Sequence, residues 1–313
     1  MSKLSLADIH CDTAYEMFMR HESFISNSLS TSVALSACYE KYTQCMAVWS
    51  DKRLDNDQAY KQCFEIINYL RQDVLKSSEI YLYDKDDNHN RKKRILLILS
   101  VEDARILNND LSRLDVLHRN GVKILTFLWS GVTCIGGSYD TSVGLTDFGK
   151  KVLQKCIDLR IIPDISHASA QSIEDVFEIC DGNIPVIASH SDSYSIHPHP
   201  RNLTDEHFAY IKQCKGLVGI NLCYSHLGIS QDDKGALKKI INHIEYYLSL
   251  GGEDILCYGC DFDGAKTPAE FRNISSLSAT SDELAKLNYS DDLINKIFFT
   301  NVENFIKNNF EKY

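Results

Sequence analysis

Several segments of this chain end in side chains that bind divalent ions. His10 and Asp12 lie two apart in Asp8-Ile-His-Cys-Asp12, so on a strand both face the same way, close enough to grip one ion. Further on come Ser100-Val-Glu102-Asp103, Pro163-Asp-Ile-Ser-His167, Ala188-Ser-His190-Ser and Cys260-Asp261-Phe-Asp263-Gly264. Imidazole and carboxylate together suit Zn²⁺ or another divalent metal. Singly, each segment says little, because an HxD pair is more often structural or capping and a lone Glu at a strand end is usually solvated or paired. Their coincidence at five segment ends is the informative feature.

Bringing those ends together requires a fold that points many strands at one rim. Short runs rich in Val, Ile and Leu fall at 4–9, 44–49, 95–100, 122–128, 161–165, 185–189, 216–222 and 255–260. Nearly continuous apolar runs suit buried parallel strands covered by helices. Amphipathic stretches at 57–73, 111–120, 146–159, 172–180, 205–213 and 234–250 separate them. Eightfold strand and helix alternation predicts an α/β chain built as a (β/α)8 TIM barrel, with a doubly wound open sheet as the alternative. Gly121, Gly182 and Gly251 follow helical stretches, where C-caps belong. No Pro-rich or Gly/Ser-rich linker interrupts the sequence, so residues 1–313 read as one barrel domain, with helical stretches at 282–287 and 290–309 packed on its outside. In such barrels the strand C-termini and the loops after them hold the active site.

A chain of 313 residues with 44% hydrophobic and 24% charged residues can bury a large core. Its net charge of −10 argues against nucleic acid or an anionic membrane as main partner and favours a small molecule. The start carries no apolar run of signal-peptide length and no 18-residue apolar stretch occurs, so a cytoplasmic location is expected. Eleven cysteines, an odd number in a chain of this size, suggest reduced thiols rather than a disulfide framework. Cys257 and Cys260 lie three apart on a predicted strand, where they point to opposite faces and read as buried small hydrophobes.

In order and spacing, the segments Asp8-Ile-His-Cys-Asp12, Ser100-Val-Glu-Asp103, Gly144-Leu-Thr-Asp-Phe-Gly149, Asp164-Ile-Ser-His167, Ser189-His-Ser191, Pro200-Arg-Asn202 and Gly259-Cys-Asp-Phe-Asp-Gly264 resemble the membrane (renal) dipeptidase family of zinc peptidases, amidohydrolase-like barrels. The resemblance spans nearly the whole chain. It implies two zinc ions, with His10 and Asp12 on one, His167 and His190 on the other, and Glu102 bridging both. It also implies Arg201 as the clamp for a free substrate carboxylate and Asp261 as the proton-handling group near the scissile bond. A small dipeptide would be cleaved by zinc-bridged hydroxide, and homodimers are an expectation of the same kind. A planar guanidinium matches a carboxylate bidentately, which suits such a clamp.

One position departs from the family. Where a Leu-Thr-His-type segment normally presents a histidine to the substrate oxygen, this chain has Leu125-Thr-Phe-Leu-Trp129. Indole donates one hydrogen bond but carries no charge, and losing one oxyanion donor commonly costs about 10²–10³ in rate. Trp129 therefore either reshapes the substrate pocket, or marks an amidohydrolase for another small amide such as a lactam or N-acyl amino acid, or marks a weakly active or non-catalytic metal-binding homologue. His197 and His199 read as a surface turn, His226 as a candidate substrate contact, Asp263 as a loop-orienting group, Gly136-Gly137 as a flexible lid segment, and 84–94 as a solvated charged loop.

Overall fold

The computed structural model describes residues 3–83, 93–230 and 234–311. Among these residues, eight strands, β1 (Leu6–Cys11), β2 (Tyr42–Val48), β3 (Ile80–Leu82), β4 (Ile95–Glu102), β5 (Val122–Thr126), β6 (Ile162–Asp164), β7 (Val218–Ile220) and β8 (Leu256–Tyr258), form one parallel sheet, seven of them in the order β6-β5-β4-β2-β1-β8-β7 and β3 off that path. β3 pairs with the first half of β4 and β5 with its second half. The chain is thus an α/β protein with a curled parallel sheet, helices following most strands.

Two strand expectations change. The apolar run 185–189 is not a strand: Ile187 bridges Asp164 and Ala188 bridges Val218, each through a single residue pair between β6 and β7. Three-residue β3 lies just before the charged run 84–94, and its brevity hides it from a periodicity argument. Up to residue 92 that charged run lies outside the described residues.

The helices keep close to their expected positions, from Asn56–Val74 to Asp205–Gln213 and Ala236–Ser249. Asp55 begins the first with a capping box, its carboxylate accepting from the Asp57 and Gln58 amides. Gly121 and Gly251 take positive φ (78° and 77°) just beyond helix ends. All eleven cysteines are free, with Cys257 and Cys260 buried in separate clusters.

The larger apolar cluster fills the space between sheet and helices. A second one joins Ala7, Ile9, Cys45, Ile98 and Ile124 to Val302, Phe305 and Ile306. These last three belong to the helix Asn301–Asn309, whose Asn301 amide donates to the Leu256 carbonyl at the start of β8. This helix therefore covers the N-terminal ends of the strands, leaving the C-terminal ends for the site.

Candidate metal centre

β1 contains the device that aims the first ligand candidate. Asp8 stands opposite Gln44 and Cys11 opposite Met46, so β1 carries one residue more than β2 over that stretch. Regular alternation would send neighbours to opposite faces. With the bulge, Ile9 stays in the inner apolar cluster while His10 turns toward Glu102 and His190. Asp12 lies just past the strand, at the N-cap of helix Thr13–Arg20, and its Oδ2 is 3.6 Å from His10 Nε2.

Glu102, the last residue of β4, splits its carboxylate between two groups. Its Oε2 lies 3.7 Å from His10 Nε2, while its Oε1 lies 3.1 Å from His167 Nε2 and 3.7 Å from His190 Nε2. Two ligand-atom sets of metal-binding size result, His10 with Asp12 and Glu102, and Glu102 with His167 and His190. A third combines His10 and His190 with Asp164. The Asp164 carboxylate is already occupied, accepting from Thr126 Oγ1, Ser189 Oγ and the Ser166 and Ser189 amides.

The imidazoles are held with Nε2 inward. His167 Nδ1 donates to the Trp129 carbonyl at 2.9 Å, and His190 Nδ1 meets Ser189 Oγ at 2.7 Å. Such bonds fix the tautomer and leave Nε2 free to ligate. His167 and Asp261 both adopt left-handed backbone (φ 69° and 59°), a strained conformation that gathers at functional sites.

The donor set fits a cation. His10 Nε2, His190 Nε2 and Asp12 Oδ1 are buried without a hydrogen-bond partner among the described residues, a costly state unless they ligate something. Burial, reinforced by the Asp12 charge, drives the Glu102 carboxyl well above the carboxylate range. Burial also pushes Asp261 up to about 7, with Asp12 adding to the rise and His10 and Arg201 opposing it. Burial would lower His10, yet Glu102, Asp12 and Asp261 hold it up to about 10. For His167 and His190 burial prevails, and both stay well below the usual histidine range. A positive charge among these carboxylates would relieve their repulsion.

Arg201 and Asp261 stand beside the cluster. Asp261 Oδ1 is 3.9 Å from His10 Nε2, and its Oδ2 accepts from Asn221 Nδ2 at 3.3 Å. Arg201 is 5% exposed, and its Nε and Nη2 have no hydrogen-bond partner among the described residues. Its guanidinium carbon sits 5.6 Å from the Tyr139 ring centre. The Trp129 ring lies 6.4 Å from that of His167 and 5.2 Å from that of Trp49. Gly264 is bare of necessity: a Cβ there would fall 1.9 Å from Asp12 Oδ2 and 2.8 Å from Asp261 Oδ1.

Asp263 does orient a loop, accepting from Thr13 Oγ1 and the Ser30 amide. His197 and His199 lie in the expected turn, half-buried between exposed neighbours, and the His199 ring lies 4.7 Å from that of His226. His226 Nδ1 is 3.2 Å from Asn221 Nδ2, next to Asp261. The Gly136-Gly137 segment is not loose: Gly136 bridges Leu145, Gly137 bridges Val132, and Ser172 Oγ donates to the Gly137 carbonyl. Ser189, Asp164, Asn221 and Tyr139 join the site without a ligand-type spacing to mark them, although Ser189 and Asp164 lie inside the segments Ser189-His-Ser191 and Asp164-Ile-Ser-His167.

A curled parallel sheet whose strand ends carry an imidazole and carboxylate cluster is the construction of a metal-dependent α/β enzyme. Residues 1–310 match the family described as membrane dipeptidase (peptidase family M19); the chain belongs to that family and is a metallo-dipeptidase. A protein described as uncharacterized, in the pqqA 5′ region of Klebsiella pneumoniae, is 27% identical over 226 residues, 69% of this chain and 83% of its own. One in the PQQ-III 3′ region of Acinetobacter calcoaceticus is 29% identical over 168 residues, 50% of this chain and 52% of its own. Among solved structures, the M19 metallopeptidase dipeptidase AC superposes with a TM-score of 0.89 at 22% identity, covering 98% of this chain and 99% of that one. A Rhodobacter sphaeroides metallopeptidase bound to a phosphinate mimic of L-Ala-D-Ala gives 0.88 at 20% identity, covering 98% and 100%. The probable dipeptidase PvdM of Pseudomonas aeruginosa gives 0.82 at 18% identity, covering 96% and 94%. At these identities the structures establish a shared fold.

Proposed function

We propose that the protein hydrolyses small dipeptides with a free C-terminal carboxylate, using two zinc ions or another divalent pair. The carrying observation is the divided Glu102 carboxylate, one oxygen toward His10 and the other toward His167 and His190. In this reading His10 and Asp12 hold one ion, His167 and His190 the other, and Glu102 both. When bound, such ions activate water near neutral pH and polarise the scissile carbonyl.

The chain's own groups supply the rest. Arg201 brings a buried guanidinium with two unpartnered N–H-bearing nitrogens, a fork for the substrate carboxylate. Asp261, fixed by Asn221 and facing His10, takes a proton from the attacking water and returns it to the leaving amine. Trp129 forms substrate-pocket wall, its carbonyl orienting His167. The R. sphaeroides relative's phosphinate mimic of L-Ala-D-Ala makes L,D dipeptides a natural class to try. We further propose that residues 187 and 188 complete a closed (β/α)8 barrel, and that the eleven free thiols reflect the reducing cytoplasm. Among the described residues no helix is long and apolar enough to cross a membrane.

The test is hydrolysis of a dipeptide panel with L,L and L,D pairs by zinc-loaded protein, against chelated protein and Asp261→Asn. Turnover that needs both metal and Asp261 supports the reading. No turnover by protein confirmed to hold two metals overturns it and selects another small amide or a non-catalytic role.

A further inference from the structure

Four aromatic side chains and one ligand candidate form a continuous arc beside the cluster. The Tyr15 and Trp49 rings meet edge to face at 4.9 Å, those of Trp49 and Trp129 lie 5.2 Å apart, Trp129 and His167 are 6.4 Å apart, and His167 and Tyr139 6.0 Å. All four spacings fall in the range aromatic pairs prefer. Tyr15 stands in the helix that begins directly after Asp12, and Tyr139 lies against Arg201. The arc thus runs from the Asp12 side of the cluster to the Arg201 side.

We infer that this arc is the pocket for the substrate's N-terminal side chain, that Trp129 is its specificity-determining residue, and that the enzyme prefers dipeptides beginning with a bulky apolar residue. The inference rests on the dipeptidase reading above. With the carboxylate at Arg201 and the scissile carbonyl at the metal cluster, the N-terminal residue extends away from Arg201, toward Trp129 and Trp49. Both indoles are half-buried, so each keeps part of its surface open. Trp129 is also held in place, with Trp49 beside it and the Lys52 ammonium 5.8 Å from its ring centre. An indole offers a large, stiff apolar face and no charge, so it rewards Phe or Leu over Ala at that position. Because the His167 tether uses the Trp129 carbonyl, substitution of the indole leaves that hydrogen bond available.

The test compares zinc-loaded protein binding phosphinate dipeptide mimics with N-terminal Phe, Leu or Ala and a common C-terminal Ala, by titration calorimetry, together with kcat/KM for the corresponding dipeptides. Phe and Leu should exceed Ala about tenfold or more, the discrimination a few buried methylene equivalents provide. Trp129→Ala should collapse that ratio at unchanged metal content, Trp129→Phe should keep it, and Trp49→Leu should reduce it. Equal binding of the three mimics by the wild-type protein, or a ratio unchanged in Trp129→Ala, overturns the inference while the dipeptidase reading stands. Failure of every mimic to bind and every dipeptide to react overturns both.

Discussion

The Ser189 hydroxyl links His190 to the protein interior: Ser189 Oγ is 2.7 Å from His190 Nδ1 and donates at 2.6 Å to Asp164 Oδ2. Thr126 Oγ1 steadies the same Asp164 oxygen. The histidine proton is thereby fixed on Nδ1, and the unpartnered Nε2 points at Glu102. Ser189→Ala should weaken metal binding by about 10–100-fold, as lost outer partners of a ligating histidine do. A chelator competition titration measures this directly. An unchanged affinity would mean that packing alone orients His190.

Arg201 is buried without a hydrogen-bonded partner on Nε or Nη2, beside acidic Asp261 and Glu102. A guanidinium kept in that state needs an anionic visitor. Arg201→Met should lower kcat/KM for dipeptides by about 10²–10³-fold, the usual cost of removing one partner of a buried charge pair. The same variant should lose little on dipeptide amides, which lack the carboxylate. Equal losses on acid and amide would remove Arg201 from carboxylate recognition.

The ligand candidates were legible because each ends a buried apolar run, and parallel strands bring such ends to one rim. His10, Asp12, Glu102, His167 and His190 all meet there. What stayed hidden depends on irregular backbone. The bulge in β1 leaves no mark in the order Ile9-His10, and residues 185–189 have the composition of a strand but make only single bridges. Tyr139 comes from a loop whose fold follows from paired backbone at Gly136, Gly137 and Leu145, which no periodicity encodes. The last helix, with Val302, Phe305 and Ile306 on one face, shows its apolar stripe plainly but not that the stripe meets Ala7 and Ile98 at the strand N-termini.

Gly264 sits where a methyl group would collide with Asp12 Oδ2 and crowd Asp261 Oδ1. Its φ is not in the left-handed region, so the constraint is space rather than backbone conformation. Gly264→Ala should therefore fold but displace the Asp12 carboxylate. Misplacing a site group by about 1 Å can cost 10²-fold in rate, and we expect a loss of at least that order with a reduced metal-to-protein ratio. Elemental analysis beside circular dichroism checks it, and full metal content with normal turnover would show that the loop yields instead.

His243 lies fully buried in the helix Ala236–Ser249, its Nδ1 accepting from the Ser193 amide at 3.1 Å. Burial lowers its pKa to about 4, with His197 and Lys239 adding to the effect and the Leu227 backbone opposing it, against an ordinary value of 6.5. Between those values the unfolded chain binds the extra proton and the folded chain does not, so acidification through this window favours unfolding. Stability at pH 6.5 and above should fall by about 3 kcal/mol as the pH approaches 4, the linkage equivalent of that shift. In His243→Asn the amide oxygen can still accept from Ser193, but nothing titrates, so this part of the slope should vanish. Urea unfolding of both proteins from pH 4.5 to 7.5 isolates the residue, because every other titrating group is common to the two. Parallel curves would place the acid sensitivity elsewhere, in the carboxylates and imidazoles of the strand-end cluster.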